Sequence, residues 1–189
     1  MEENEIKVVF LGSSGVGKTN LINRFISNKF NDIEPATTAA THSQKNITYE
    51  NKGYTFTIWD TTGAENFRPL TKLFLKNVQI FVLVYEISNK KSFLDLQYWL
   101  DYILEEYGSS TFNVLIGNKS DIVSDKKIKE SEGAKFAEII KAKFAHVSAK
   151  NNDNWSKIFE EILTDYIRIK KPKAKEQKGI YLDDYLLLE

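Results

Sequence analysis

The chain has 189 residues, of which 42% are hydrophobic and 28% charged, with a formal net charge of zero and no cysteine. A chain of this length forms one domain whose core needs neither metals nor disulfides. The balanced charge gives no reason to expect nucleic acid or an anionic membrane as a partner, and the lack of cysteine excludes disulfides and thiolate chemistry.

The N-terminal segment is acidic and leads directly into an apolar run. Residues 1–5 lack the basic start and the apolar stretch of a secretory signal. The longest apolar run, Ile80 to Tyr85, is too short to span a bilayer. These features predict a soluble cytoplasmic protein.

Apolar runs of strand length alternate with segments of helical periodicity. The first half predicts, in order, a strand over Ile6–Leu11, a glycine-rich loop, a helix whose inner face holds Leu21, Ile22 and Phe25, a loop over Asn31–Thr41, and a hairpin of Ser43–Glu50 and Tyr54–Trp59 with its turn at Asn51–Gly53. The second half predicts a helix over 67–77, a strand over Ile80–Tyr85, a helix over Lys91–Glu106 with Phe93, Leu96, Leu100, Ile103 and Leu104 inside, a strand over Asn113–Ile116, a helix over Ser131–Ile140, a strand over Phe144–Val147 and a helix over Asn154–Ile169.

This alternation predicts an α/β fold with a six-stranded, mostly parallel sheet, one antiparallel edge strand and helices on both faces. The folded domain is expected over 1–169, and a polar tail over 170–189. The lysines of that tail are either a weak membrane-surface patch or, as we favour, part of a solvated segment. Ligands of such sheets bind beyond the carboxyl ends of the strands, where the motifs of this chain fall.

The first motif is a phosphate-binding P-loop, Gly12-x-x-x-x-Gly17-Lys18-Thr19. Glycines let backbone N–H groups converge on a phosphate, and the following helix contributes its N-terminal dipole. Lys18 supplies a cation for the β- and γ-phosphates, and the Thr19 hydroxyl can ligate Mg²⁺. The nucleotide contacts expected here come from Ser14, Gly15, Val16, Gly17, Lys18, Thr19 and Asn20.

The second motif selects the base. Asp121, in Gly-Asn-Lys-Ser-Asp, can accept hydrogen bonds from the N1–H and exocyclic amine of guanine, a donor pair that adenine lacks. Asn118 can pair with N7, and Lys119 can lie along the plane of the base. A later Ser148-Ala149-Lys150 segment offers a backbone N–H to the guanine O6. The base motif and this later segment are each weak alone but strong together and in this order after a P-loop. They predict GTP or GDP as the ligand.

These residues resemble those of the Ras superfamily of small GTPases, most closely its Rab branch, over about residues 5–168. Trp59-Asp60-Thr61-Thr62-Gly63 is similar to the family's Trp-Asp-Thr-Ala-Gly, whose tryptophan favours Rab. The resemblance implies a P-loop small GTPase fold, Mg²⁺, GTP hydrolysis, a role in vesicle trafficking and peripheral association with endomembranes. It also implies effector, exchange-factor and activating-protein partners, which would bind switch regions near 31–42 and 61–77.

Family spacing transfers further roles to this chain. Thr37 is expected to ligate Mg²⁺ and contact the γ-phosphate, with Thr38 and Thr41 as nearby alternatives. Phe30 is expected to pack against the guanine, and Asp60 to hold Mg²⁺ through water. The Gly63 N–H would meet the γ-phosphate. The catalytic residues implied are Lys18, Thr37 and Gly63.

The chain departs from the family at the residue that matters most for hydrolysis. Ala64 stands where the family has the glutamine that orients the attacking water, and a methyl group can neither hold a water nor accept a proton. Intrinsic hydrolysis is therefore expected to be slow. Glu65, or a glutamine inserted by an activating protein, remains an alternative source of that function.

Two further departures lie in switch I and in the tail. Glu34 replaces an aromatic residue that would cover the γ-phosphate, and the segment Thr38–His42 differs from the usual Rab sequence. The chain has no cysteine for prenylation, so either it is not lipid-anchored or it is part of a longer protein. A non-hydrolysing scaffold module is therefore a competing hypothesis, whereas Asp121 argues against a P-loop ATPase or nucleotide kinase.

Overall fold

The computed structural model describes residues 4–122, 125, 127–152 and 155–170. Its strands are β1 (Glu5–Leu11), β2 (Thr41–Tyr49), β3 (Lys52–Asp60), β4 (Ile80–Glu86), β5 (Phe112–Asn118) and β6 (Lys143–His146). Its helices are α1 (Lys18–Ser27), α2 (Arg68–Leu73), α3 (Lys90–Leu94), α4 (Leu96–Tyr107), α5 (Glu130–Ile139) and α6 (Trp155–Lys170), and a 3₁₀ turn covers Glu65–Phe67.

The strands form one sheet in the order β2-β3-β1-β4-β5-β6. Only β2 runs antiparallel to its neighbour β3; the other pairs are parallel. Strand β1 lies at the centre, where Val9 pairs with Trp59 on one side and with Phe81 on the other. The predicted fold class is confirmed.

The hairpin turn lies earlier than predicted. Its central residues are Glu50 and Asn51, both with positive φ (48° and 62°), instead of Asn51–Gly53. Two consecutive positive φ values define a type I′ turn, whose twist matches that of the flanking strands. This short turn lets β2 begin at Thr41, inside the segment predicted to be a loop.

The predicted helix 67–77 is wrong in extent, and the predicted helix Lys91–Glu106 has bounds within one residue of the observed ones but is interrupted once. The first is a 3₁₀ turn followed by α2, which ends at Leu73, and Asn77 just beyond it has a φ of 56°. The second is divided at Asp95 into α3 and α4. Leu104 was predicted to be inside but is 61% exposed, because it lies about 100° around α4 from the buried Ile103.

The core has two parts, one on each face of the sheet. On one face α1 and α6 cover the sheet, and the Phe159 ring contacts Phe10, Phe25 and Trp155 at centroid distances of 5.5, 4.9 and 4.7 Å. On the other face α4 and α5 cover it through residues such as Trp99 and Ala137. Burial on both faces fixes the strands, and with them the loops that follow their carboxyl ends.

The predicted domain boundary at residue 169 lies one residue before the end of α6. The predicted tail beyond Lys170 falls outside the described residues. In the described part of the chain, no helix has the length and apolar character needed to cross a membrane.

Candidate functional site

A cleft of about 360 Å³ opens at the carboxyl ends of the parallel strands. It is lined by most of the predicted site residues, namely Ser14, Gly15, Gly17, Lys18, Thr19, Asn20, Phe30, Thr37, Gly63, Asn118, Lys119, Asp121, Ala149 and Lys150. Three others, Val16, Asp60 and Ser148, are buried behind these residues. The structure therefore brings both motifs and the third loop into one site of the size typical for a small-molecule ligand.

The glycine-rich loop connects β1 to α1 in a conformation that requires glycine. Gly17 caps the N-terminus of α1 with a φ of 93°, in the left-handed region. Gly12 has a φ of 145°, and a Cβ there would lie 2.2 Å from the Val84 carbonyl oxygen. The loop thus passes directly over β4, and the N-terminus of α1 points into the cleft.

Lys18 lies inside the loop, not in solvent. Its ammonium donates to the carbonyl oxygens of Gly12 and Ser13 at 2.8 and 3.0 Å, and the residue is only 5% exposed. Burial lowers the pKa of Lys18 to about 8, and the nearby Asp60 carboxylate partly opposes that shift. A buried cation with this little charge compensation suits a polyanionic ligand.

Thr19, Thr37 and Asp60, the three predicted metal ligands, lie together. The Thr19 hydroxyl donates to Asp60 Oδ2 at 2.6 Å and lies 2.9 Å from the Thr37 hydroxyl. Burial raises the pKa of Asp60, opposed by its hydrogen bond to Thr19. Of the two alternatives to Thr37, Thr41 does not line the cleft but lines a second cavity of about 60 Å³ that Thr19 and Asp60 also line, and Thr38 lines neither of these cavities.

This donor set fits Mg²⁺. Asp60 Oδ1 is buried without a hydrogen-bond partner among the described residues, and hard hydroxyl and carboxylate oxygens are the ligands that Mg²⁺ takes. Among those same residues, no cluster of three or more histidine, cysteine or acidic side chains forms a separate metal site. A metal here would depend on two threonines, one carboxylate, water and the bound phosphates.

At the other end of the cleft, Asn118 connects three loops. Its amide donates to the Val16 carbonyl at 2.8 Å, and its Oδ1 accepts from the Ala149 N–H at 3.2 Å. The Ser148 hydroxyl donates to Asp121 Oδ1 at 2.5 Å and so fixes that carboxylate. The third loop therefore orients the groups predicted to read the base.

Lys119 and Phe30 form two walls of the cleft. Lys119 has a φ of 65°, and its ammonium pairs with Glu86 Oε2 at 2.8 Å, which leaves its aliphatic stem along the cleft. Phe30 also lines the cleft and lies just before Asn31, whose backbone N–H and carbonyl bond the Asn20 side chain at 3.0 and 2.9 Å. Asn20 thus anchors the start of switch I to α1.

Gly63 packs directly against the phosphate loop. A Cβ at this position would lie 2.3 Å from the Ser13 carbonyl carbon, and Gly63 itself lines the cleft. Ser13 in turn donates to Asp95 at 2.9 Å, and Asp95 accepts from Lys91 at 2.9 Å. Lys91 also forms an ion pair with Glu65 at 2.5 Å, which extends this series of contacts to the residue two positions after Gly63.

Two carboxylates stand at the mouth of the cleft. Glu34 lines the cleft at the switch I end. Burial is the main cause of the raised pKa of Asp60, and the nearby Glu34 carboxylate raises it further. Asp32 pairs with Lys150 at 2.9 Å across the opening. Both partners of that pair are more than half exposed, so it contributes little to stability.

Several residues of the site carry no signal in the sequence. Arg24, Glu86 and Asp95 support residues of the cleft through contacts with segments far away along the chain, such as the 125-residue separation between Arg24 and Ala149. No short motif contains such a contact. Only the folded sheet brings these residues to the cleft.

Comparisons with known proteins agree with this geometry. The model of a family described as the Ras family matches residues 7–168. The chain is 36% identical to the Ras-related protein Rab-11C of Dictyostelium discoideum over 178 residues, 94% of this chain and 78% of that protein. It is 32% identical to the Ras-related protein RabC of the same organism over 184 residues, 96% of this chain and 94% of that protein.

The loop glycines provide a matched test of this geometry. Gly15→Ala should lower the free energy of unfolding by about 1–2 kcal/mol, the cost of a left-handed φ for alanine, since its Cβ meets open space. Gly17→Ala should lower it by a further ~1–3 kcal/mol, since its Cβ would lie 2.4 Å from Asn118 Nδ2 and displace that buried hydrogen bond. Urea unfolding without nucleotide measures both; equal losses would contradict the Asn118 contact.

Proposed function

Because the chain belongs to the Ras family of small GTPases and is Rab-like within it, we propose that it is a GTP- and GDP-binding switch of vesicle trafficking whose own GTP hydrolysis is slow. The observation that carries this proposal is the cleft itself. One end holds the phosphate loop and Lys18, and the other holds Asn118 and Asp121. These two ends suit a purine nucleotide whose base is guanine.

We assign the phosphates and the base of the nucleotide to different residues of the cleft. Backbone N–H groups of the loop and the Lys18 ammonium hold the phosphates, for which the charge on Lys18 is otherwise poorly compensated. The Asp121 carboxylate, oriented by Ser148, accepts from the guanine N1–H and amine. Phe30 and the stem of Lys119 enclose the base.

Thr19, Thr37 and Asp60 are the residues we propose to hold Mg²⁺, Asp60 through water. When bound, the ion would neutralise charge on the phosphates. Thr37 belongs to switch I, so its contact with Thr19 at 2.9 Å ties the position of that segment to the metal end of the cleft. This tie supports a switch whose conformation depends on the nucleotide.

Slow hydrolysis follows from the contacts around residue 64. The side chain of Ala64 is only a methyl group, which can neither hold nor orient an attacking water. The neighbouring Glu65 carboxylate is paired with Lys91 at 2.5 Å on the surface of α3. We therefore propose that Glu65 does not replace the missing glutamine, and that efficient hydrolysis requires a residue supplied by a partner.

Guanine selectivity is the first expected result. The protein should bind GDP about 10⁴-fold more tightly than ADP, because adenine leaves the buried polar groups of the base site unpaired. Displacement of fluorescent GDP by GDP, ADP and ATP measures this. Asp121→Ala should remove most of the preference, whereas Asp165→Ala, on the outer part of α6, should keep it. Efficient displacement by ATP would overturn the proposal.

Restoring the glutamine is the second test. Ala64→Gln should raise single-turnover GTP hydrolysis by up to about a hundredfold, the scale of effect of placing a reactant correctly. Glu65→Gln, the control, should leave the slow rate unchanged because its carboxylate contacts Lys91 instead. A rate in the unmodified protein equal to that of Ala64→Gln, or a slower rate in Glu65→Gln, would contradict this account.

A non-hydrolysing scaffold is the second candidate function. It is favoured by Ala64 together with Glu34, whose carboxylate lies in the cleft where it would repel a γ-phosphate. Under this alternative, switch I would adopt the same structure with GDP and with GTP, and partners would bind both forms equally.

Partner capture separates the two candidates. The switch regions expose Ile33 and Leu73, and the Trp59 ring contacts those of His42 and Phe74 at centroid distances of 4.9 and 5.4 Å. Partners should be captured with a non-hydrolysable GTP analogue and lost with GDP. Leu73→Glu should abolish this capture, and the matched surface change Ile139→Glu on α5 should not. Equal capture in both nucleotide states would favour the scaffold.

A further inference from the structure

One arginine of α1 reaches the loop that is predicted to bind the guanine O6. Arg24 Nε donates to the Ala149 carbonyl at 2.9 Å, and its Nη2 donates to the Lys150 carbonyl at 3.1 Å. These are consecutive carbonyls of the third loop. Two donors fixed in one planar group therefore hold both the position and the orientation of this short segment.

The same guanidinium also holds the C-terminal end of α1. Its Nη1 donates to the Asn28 carbonyl at 2.8 Å and to the Asn28 side-chain oxygen at 3.2 Å. Asn28 is the left-handed cap of the helix, with a φ of 55°, and its side chain also accepts from Asn152 at 3.0 Å. The cap of α1 and the segment after Lys150 are thus fixed relative to each other.

Arg24 further contacts the aromatic wall of the cleft. The centre of its guanidinium lies 5.7 Å from the centroid of the Phe30 ring. Phe30 follows the Asn28 cap by two residues, so the arginine touches the start and the end of this short connection. One side chain therefore contacts the two elements that flank the base end of the cleft.

We propose that Arg24 is a positioning residue for guanine recognition: it sets the distance between the Phe30 ring and the Ala149 N–H, and so aims that N–H at O6. The inference rests on the proposed function. The structure gives a reason why the arrangement needs arginine. A lysine has one compact ammonium on a flexible stem, which cannot hold the two loop carbonyls and the helix cap together.

The Ala149 N–H already has a hydrogen-bond partner within the protein, so its position affects whether it can also reach the base. In the structure it donates to Asn118 Oδ1 at 3.2 Å, a long hydrogen bond. A small shift of the loop decides whether the N–H faces Asn118 or the base. Arg24 bonds the carbonyl of this same residue, on the other side of the chain, and is therefore placed to control that shift.

A cycle of protein and ligand changes tests the proposal. Arg24→Lys is compared with the unmodified protein for release of fluorescent GDP and of 6-thio-GDP, in which sulfur, a weak acceptor, replaces O6. Release of GDP should become about tenfold faster, the effect of losing roughly one charge-assisted hydrogen bond. Release of 6-thio-GDP should rise by less than about threefold, because its contact with the Ala149 N–H is already weak.

The control is Arg168→Lys, on the exposed side of α6, where the arginine pairs with Asp165 at 3.2 Å; both release rates should stay unchanged. An equal acceleration for the two ligands would overturn the proposal, since it would mean that Arg24 only supports the fold. So would an unchanged GDP rate in Arg24→Lys. If the unmodified protein fails to bind GDP, the proposed function falls together with this inference, whereas the other two outcomes leave that function intact.

Discussion

The site depends on the hydrogen bonds of one buried side chain, that of Asn118. This residue is 1% exposed and lies at the end of β5, where it bonds the Val16 carbonyl at 2.8 Å and the Ala149 N–H at 3.2 Å. The side-chain amide of this one residue of the base motif therefore bonds both the phosphate loop and the third loop. Leaving a buried amide unpaired costs about 1–3 kcal/mol, so each loop stabilises the placement of the other two.

The parallel sheet makes this three-way contact possible. Strands β1, β5 and β6 all end at the same edge of the sheet, and helices α1 and α6 cover that edge from one face, where Phe159 packs on Phe10 of β1 and on Phe25 of α1. The Trp155 indole N–H also donates to the Leu21 carbonyl at 2.8 Å, which joins α6 to the helix that follows the phosphate loop. The aromatic core thereby holds the base end and the phosphate end at a constant separation.

Features encoded locally could be predicted from the sequence, and features that depend on distant contacts could not. The alternation of apolar runs predicted the fold class, because it is periodic along the chain. The phosphate-loop motif predicted the placement of Lys18 and Thr19 in the cleft, because the whole motif lies within a short segment, residues 12–19. Periodicity predicted the bounds of the Lys91–Glu106 segment to within one residue but not the interruption at Asp95. Arg24 was missed because its partners Ala149 and Lys150 lie 125 and 126 residues away along the chain.

The groups proposed to bind the nucleotide and the residue proposed to slow hydrolysis lie in different parts of this molecule, so a change in one need not disturb the other. Several groups proposed for binding are backbone atoms or buried side chains whose removal would disturb the fold, as at Asn118. Ala64 directly precedes the 3₁₀ turn that begins at Glu65, and the Glu65 side chain is 58% exposed, so its ion pair with Lys91 adds little stability. The only hydrogen bond to the backbone N–H of Ala64 is a long one, 3.4 Å from the Thr62 hydroxyl, among the described residues. A substitution of the side chain at residue 64 is therefore expected to change the stability of the fold little, and the contacts proposed for nucleotide binding do not include this side chain.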